Sequence, residues 1–534
     1  MKNFNYLWLA GGLFLLGSCS SEAPIGGEPN LPEEGDGEYY LRVSLGELST
    51  RGADEYSTTD IENAAFLFYN DKGEYISTRY VSNATLTDAQ KTANAGVDIA
   101  WLDSQTGHTG EKCAVIKLSK IPAYVACVVN AESNRIFNTS GNTDIDVVKV
   151  EKFSKGTTKK FYMSSSSYYE DGNPVYWSEI DKSLVQSGTN GEELAKSGNA
   201  AVRLQVEPLV AKVQVLNALS TPAGVNPMDG DRADQVEATS VTFVPEAVCL
   251  TGTTTKGYTI KKLPDWADLN ANERKLNKPL KDNVPQQRIA IVGDIPSDAD
   301  FNYPTKASLF EVVDSKSQAK ADYAYKTDDK GQFFFPFENN NNEGVSATNV
   351  VVLGKYKVVT SDNKTIENQT FYLFGTGDKF TVYTSLKEVI TKMGGEVTKE
   401  VEKNGEKVIE DKSEEELNAM LEEDCTTAGK HTTWTGWMKL KNSTSPFKCI
   451  KYNGGYGYYA APIAIPNRYN MIVRNLHYKL NIKTINGMGV GIPEDSTPII
   501  PIEVPDPSNQ NYYMHIAVDV LDWMELDASN VEWM

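Results

Sequence analysis

Apolar and polar residues alternate with period two along much of this chain, and that alternation predicts strands. Tyr39, Leu41, Val43 and Leu45 share one face of the segment from Tyr39 to Leu45. Ala64 to Tyr69 reads as a strand closed by the turn Asn70-Asp71-Lys72-Gly73. Val115 to Leu118 and Tyr124 to Asn130 read the same way, as do Val241 to Val244 and Tyr258 to Ile260. Ala201 to Val215 alternates on both sides of Pro208. Proline has no N–H to give a central strand, so a boundary between two domains is expected there. Lys399 to Ile409 predicts a hairpin turning at Asn404-Gly405. Ser413 before Glu414, Glu415 and Glu416 predicts the cap and first turn of a short helix. The charged stretch 394–424 is expected to be a surface insertion.

The last alternating segments lie near the C-terminus. Tyr478 to Lys483 is followed by a connector containing Pro493, Pro498, Pro501, Pro505 and Pro507, which favours an extended, semi-rigid arm. Beyond it, Met514, Ile516, Val518 and Val520 fall on one face, while His515, Ala517 and Asp519 fall on the other.

The N-terminus changes the picture from a β-rich chain to an exported one. Lys2 precedes a short apolar run from Leu7 to Leu16, too short to span a bilayer. Leu16-Gly17-Ser18-Cys19 is similar to the lipobox of bacterial lipoproteins, which makes Cys19 the expected lipidation site. Residues 20–38 are polar, acidic and rich in Gly and Pro, and read as a tether. No later run is long and apolar enough to suggest a second membrane segment.

The 534 residues call for more than one domain, and 40% apolar residues are enough to fill real cores. The net charge of −20 argues against nucleic acid as a partner, because phosphate contacts need clustered Lys and Arg. Cys113, Cys127, Cys249, Cys425 and Cys449 are an odd set with no metal-site spacing. Cys113 and Cys127 sit in apolar runs and read as small buried hydrophobes.

Catalytic patterns are missing. His108, His431, His477 and His515 have no spaced metal partner, and there is no nucleophile elbow. Gly252 and Gly257 have phosphate-loop spacing, but Tyr258 stands where the lysine belongs. Gly487-Met488-Gly489-Val490-Gly491 runs into Pro493 rather than a helix, so it reads as a turn. Asp229, Asp231 and Asp234 lack the spacing of a calcium loop and read as a solvated turn. No enzyme activity, metal or cofactor is expected.

The two ends of the chain make a pair. The Tyr39–Leu45 strand is followed by a polar loop carrying Arg51 and Gly52, a natural site for proteolysis. A cut after Arg51 would leave that strand held to its domain by non-covalent contacts alone. Were it to leave, its sheet would gain an open edge and an apolar groove. The terminal strand has the length and period to fill such a groove in another molecule, and it also has the pattern to complete its own domain. The first alternative is head-to-tail and non-closing, and so builds a filament.

These residues resemble the type V pilus fimbrillins of the Bacteroidales, stalk subunits of the short fimbriae above all. The resemblance rests on the lipobox at Cys19, the Arg51 junction, Val206-Glu207 with Val210-Ala211-Lys212, Val473-Arg474-Asn475 with Tyr478, and the closing run Val518 to Trp523. Residues from about 215 to 450 share little of it. It implies a mainly β fold, with two tandem transthyretin-like β-sandwich domains and short helical insertions.

The implied division is a lipoprotein signal peptide over 1–19 and a propeptide over 20–51. An N-terminal domain over 52–207, a C-terminal domain over 208–508 and a donor strand over 509–534 follow. It also implies that Tyr39, Leu41, Val43 and Leu45 are displaced after an Arg-specific protease cuts between Arg51 and Gly52. Met514, Ile516, Val518 and Val520 would then be the donor plugs and Trp523 would close the groove.

Expected partners are further copies of the chain, accessory tip and anchor fimbrillins, the protease, and receptors on host or bacterial surfaces. The outer membrane would hold the lipidated precursor, and the mature protein would be extracellular, in adhesion and biofilm formation. Two other readings remain: a tip or accessory fimbrillin, and a glycan-binding surface lipoprotein using Trp101, Trp177, Trp434 or Trp437 as platforms.

Overall fold

A computed structural model describes most of the chain between Gly37 and Leu526. The main stretches outside that description are 1–36, 51–60, 103–111, 131–146, 150–160, 226–234, 269–292, 424–436, 444–447, 464–470, 501–513 and 527–534. The described residues are mainly strand, with a few short helices.

Two large cores organise them. In the N-terminal core, Tyr39–Leu45 is a central strand. It runs antiparallel to Lys112–Leu118 along its whole length, from Tyr39 opposite Leu118 to Leu45 opposite Lys112. Its other edge is shared: Gln186–Ser187 pairs with its start and Val202–Leu204, in parallel, with its end. The facing sheet has the order Val206–Pro208, Met163–Ser165, Tyr124–Val129, Asn63–Tyr69, Tyr75–Ser82. Leu41, Val43 and Leu45 meet Phe66, Phe68, Val125, Cys127 and Val129 in the space between the sheets.

Asn63–Tyr69 is buried on both faces because its outer side is covered too. Ala65 packs with Tyr80 and Leu86 beside the helix Asp88–Ala93, which is closed by a Thr87–Gln90 capping box. Leu67 and Tyr69 pack with Ala126 and Ile260.

In the C-terminal core, one sheet has the order Gln332–Phe334, Lys212–Asn217, Leu476–Ile485, Met514–Asp522. A facing sheet contains the long antiparallel pair Ala238–Thr251 and Asn349–Thr360, followed by Tyr456–Pro462. Pro245 sits in the middle of a long strand, where proline is normally excluded. The ladder is bulged there, between Pro245 and Ala247. Gly354 lies opposite, and a Cβ on it would come within 2.1 Å of the Val244 carbonyl oxygen. The bulge and the glycine are therefore one feature.

A third sheet, built around Phe371–Thr376 and Lys448–Tyr452, carries the charged insertion. Thr398–Lys403 and Glu406–Asp411 form the expected hairpin, with Asn404 and Gly405 both at positive φ (54° and 84°). Ser413 caps the helix Glu414–Asn418, with Glu416 completing a capping box.

The side chains change core between Val210 and Ala211: Leu209 and Val210 belong to the first, Ala211 and Val213 to the second. Phe337, far along the chain, returns to pack in the first core. Among the described residues no helix is long and apolar enough to cross a membrane, and no cluster of His, Cys, Asp and Glu is placed to hold a metal. Asp229, Asp231 and Asp234 lie outside the described residues.

Candidate assembly site

The site is the groove occupied by Tyr39–Leu45. Alternation in the sequence marks one apolar face, but all seven residues are buried. The inward face is Tyr39, Leu41, Val43 and Leu45, the last three with no exposure at all. The outward face is Tyr40, Arg42 and Ser44, and a strap lies over it. The strap is the helix Gly191–Ser197 with its exit to Ala201, and it leads off from Gln186–Ser187, which pairs with the edge of the strand.

Gly191 starts that helix where a Cβ would meet the Tyr40 ring at 2.8 Å. Arg42 reaches the other end: its Nη1 donates to the carbonyl oxygens of Lys196 and Gly198, each at 3.1 Å. Ala201 N–H donates to the Arg42 carbonyl at 2.8 Å, fastening the strap's exit to the strand. Outside the strap, Glu38 receives hydrogen bonds from Lys117 Nζ, at 2.5 Å, and from the Tyr40 hydroxyl, at 3.1 Å. These contacts hold the Glu38 carboxyl below its ordinary range.

The terminal strand Met514–Asp522 is seated on the edge of the C-terminal sheet of its own chain. It is antiparallel to Leu476–Ile485, with Tyr478 opposite Val520 and Leu480 opposite Val518. Met514 is buried in the C-terminal core and Ile516 packs against it. The backbones of Val518 and Val520 belong to the strand, while their side chains lie outside the described residues, as does all of Trp523. Cys19, Arg51 and Gly52 also lie outside them. The structure thus keeps the two candidate strands apart, one in each domain. Their continuations meet: Leu48–Thr50, just before Arg51, pairs antiparallel with Met524–Leu526, with Thr50 opposite Met524.

Sequence reasoning did not foresee Arg42 as a buried contact or the strap as a cover. Arg42 interrupts an apolar strand, and a buried guanidinium needs acceptors, but its acceptors lie more than 150 positions away. Of the aromatic platforms, Trp101 is buried, with its indole N–H donating to the Glu62 carbonyl at 2.9 Å. Trp177 is half-buried between Tyr69 and Tyr124. Trp434 and the side chain of Trp437 lie outside the described residues.

Comparison with known proteins bears on the other end of the chain. Residues 451–528 match the family model of the major fimbrial subunit protein type IV, fimbrillin, C-terminal. That span takes in Val473-Arg474-Asn475, Tyr478 and the terminal strand. Over that span the chain is similar to the fimbrillins, as the sequence resemblance implies.

Among solved structures it is similar to a fimbrilin from Porphyromonas gingivalis W83, at 13% identity and a TM-score of 0.35, covering 91% of this chain and 98% of that one. A proposed cell adhesion protein from Parabacteroides distasonis gives 13% and 0.37, covering 92% and 98%. The tip fimbrial protein Mfa3 from Porphyromonas gingivalis gives 10% and 0.29, covering 91% and 100%. No curated protein matches the chain.

Proposed function

We propose that this protein is the stalk subunit of a cell-surface fimbria, made as a lipoprotein on Cys19 and polymerised by protease-triggered strand exchange. One observation carries the reading: Tyr39–Leu45 is a central, wholly buried strand that precedes the Arg51–Gly52 junction. A cut there leaves it bound by contacts alone. Its loss empties a groove lined by Phe66, Phe68, Val125 and Val129. Met514, Ile516, Val518 and Val520 of another copy, with Trp523 behind them, supply four apolar side chains at the same period. Burying four such side chains is worth roughly 6–12 kcal/mol before ordering costs, and each main-chain hydrogen bond adds about 1 kcal/mol.

The assembled fibre then supports adhesion and biofilm formation through receptors on host or bacterial cells, with accessory tip and anchor fimbrillins at its ends. Digestion of purified precursor with an Arg-specific protease tests this, read by N-terminal sequencing and electron microscopy. Gly52 as the new N-terminus together with filaments or SDS-resistant ladders is the expected result. A stable monomer after that cut would overturn it.

A second reading is favoured by the seating of Met514 in its own domain's core. A tip or accessory subunit would keep its terminal strand at home. In that case cleaved subunits would accept a donor strand but never give one, and mixing with a second fimbrillin would yield capped fibres only.

A further inference from the structure

The strap over the first strand is closed by a residue that belongs to the strand itself. A helix leaves its last carbonyls without partners, and the negative end of its dipole attracts a cation. The helix Gly191–Ser197 has one basic residue in its last turn, Lys196. That ammonium is engaged elsewhere, 2.7 Å from Glu192 and 2.9 Å from Glu193. The carbonyls are served instead by Arg42, 2% exposed, reaching up from the strand below. The contact exists only while this strand lies in the groove.

The terminal strand brings a different residue to that place. If Met514, Ile516, Val518 and Val520 take the positions of Tyr39, Leu41, Val43 and Leu45, Ala517 falls where Arg42 was. The result is the same if the strand enters in the opposite direction, because the place of Arg42 is fixed by alternation in either register. An alanine side chain carries no donor, and the residues two places away, His515 and Asp519, align with the places of Tyr40 and Ser44.

We infer that Arg42 is the specificity-determining residue of the groove: it clamps the strap, residues 191–198, over the resident strand, and a strand presenting Ala517 leaves the strap unclamped. The inference rests on the strand-exchange reading for its second half and on the intact precursor for its first. It gives the cut at Arg51 a physical purpose. While Tyr39–Leu45 stays tethered, the groove prefers it to the chain's own terminal strand by the contacts of one guanidinium; the cut removes the tether that makes this preference decisive.

Hydrogen–deuterium exchange on the intact precursor tests the clamp. Arg42→Ala is expected to speed exchange of the strap amides from Leu194 to Ala201 by about tenfold or more, since hydrogen bonds to a charged donor are lost. Exchange in Lys112–Leu118 and Tyr124–Val129 should not change. Arg42→Lys, which keeps the charge on a shorter side chain, should fall between the two. Unchanged strap exchange in Arg42→Ala would overturn the inference.

Ala517→Arg tests the second half without touching the resident strand. In filaments of the wild-type chain the strap should exchange faster than in the precursor, and in Ala517→Arg filaments it should return to the precursor's rate. Equal strap exchange in the two kinds of filament would overturn it. Failure of the wild-type chain to form any filament after the cut would count against strand exchange itself, and the precursor measurement would still decide the role of Arg42.

Discussion

Arg474 Nε lies 2.8 Å from Glu338 Oε2, with the two side chains 1% and 3% exposed. The pair is the centre of a longer chain of charge. The other Glu338 oxygen accepts from Gly293 N–H at 3.1 Å and stands 3.8 Å from Lys261 Nζ, which is 3.3 Å from Glu207 Oε1. Arg474 also donates to the carbonyls of Tyr258 and Thr259. Glu207 lies in a strand of the N-terminal sheet, and Arg474 lies two residues before a strand of the C-terminal one. Two acids and two bases are thus buried where the domains join. Such a set balances its own charge, but removal of one member strands another in a dry site.

Glu338→Ala is accordingly expected to destabilise the chain by about 3–5 kcal/mol. Urea unfolding of the precursor, followed by circular dichroism and tryptophan fluorescence, measures it. A loss below about 1 kcal/mol would mean that water or a neighbouring group replaces the carboxylate at little cost.

Buried thiols and phenols set the alkaline limit. Burial pushes Cys127 and Cys449 up from an ordinary 9.0 to about 12, and Tyr69 from 10.0 to about 12. The folded chain therefore keeps protons that the unfolded chain releases above pH 9. Stability is fully present below that value and falls as pH rises toward 12. Melting temperature should be flat up to about pH 8.5, just below the ordinary thiol range, and then decline. At pH 8 Cys127 and Cys449 should resist alkylation until denaturant is added, as mass spectrometry of the labelled peptides will show. Labelling of native Cys127 at the rate of a free thiol would contradict the burial on which this rests.

The local elements were legible in the sequence because their causes are local. Alternation marked Tyr39–Leu45 and Met514–Asp522, Asn404-Gly405 marked a hairpin, and Ser413 marked a helix start. The burial of both faces of Tyr39–Leu45 was not legible, because the covering strap lies some 150 residues downstream. The charge set at the domain junction was half legible. Glu207 and Arg474 stood out through family resemblance, but Lys261 and Glu338 gave no signal in an unremarkable stretch. Pairing of distant charges depends on how sheets stack, and no short window of sequence carries that.

Seating of the terminal strand on its own domain changes what its deletion should do. Removing residues 511–534 takes away an edge strand, while Leu476–Ile485 keeps its parallel partner Lys212–Asn217. The chain should stay folded, with a loss of at least the roughly 1.5–3 kcal/mol from the burial of Met514, more as the ladder hydrogen bonds contribute, and should form no filaments after cleavage. Ile516→Asp should lower the stability of its own domain, where Ile516 is half-buried, yet fold and export, and it should fail to assemble, since a charge placed in an apolar groove is costly. Size exclusion and electron microscopy separate these outcomes. Filaments from the truncated chain would exclude its terminal strand as the donor.

The pairing of Leu48–Thr50 with Met524–Leu526 makes processing depend on the C-terminus. Recognition of an extended segment uses its main-chain N–H and carbonyl groups. In the precursor the residues just before Arg51 already spend theirs on the chain's own tail. Each main-chain hydrogen bond that must open first is worth about 1 kcal/mol, or roughly fivefold in the accessible fraction. Deletion of 524–534 should therefore speed Arg-specific cleavage after Arg51 several-fold, with Tyr39–Leu45 still in place. The rate is read as the appearance of the Gly52 N-terminus in a timed digest, with cleavage at other arginines as the internal control. Identical rates for full-length and shortened chains would show that the tail does not guard the junction, whereas a selective gain at Arg51 would tie release of the donor end to removal of the strand it is to replace.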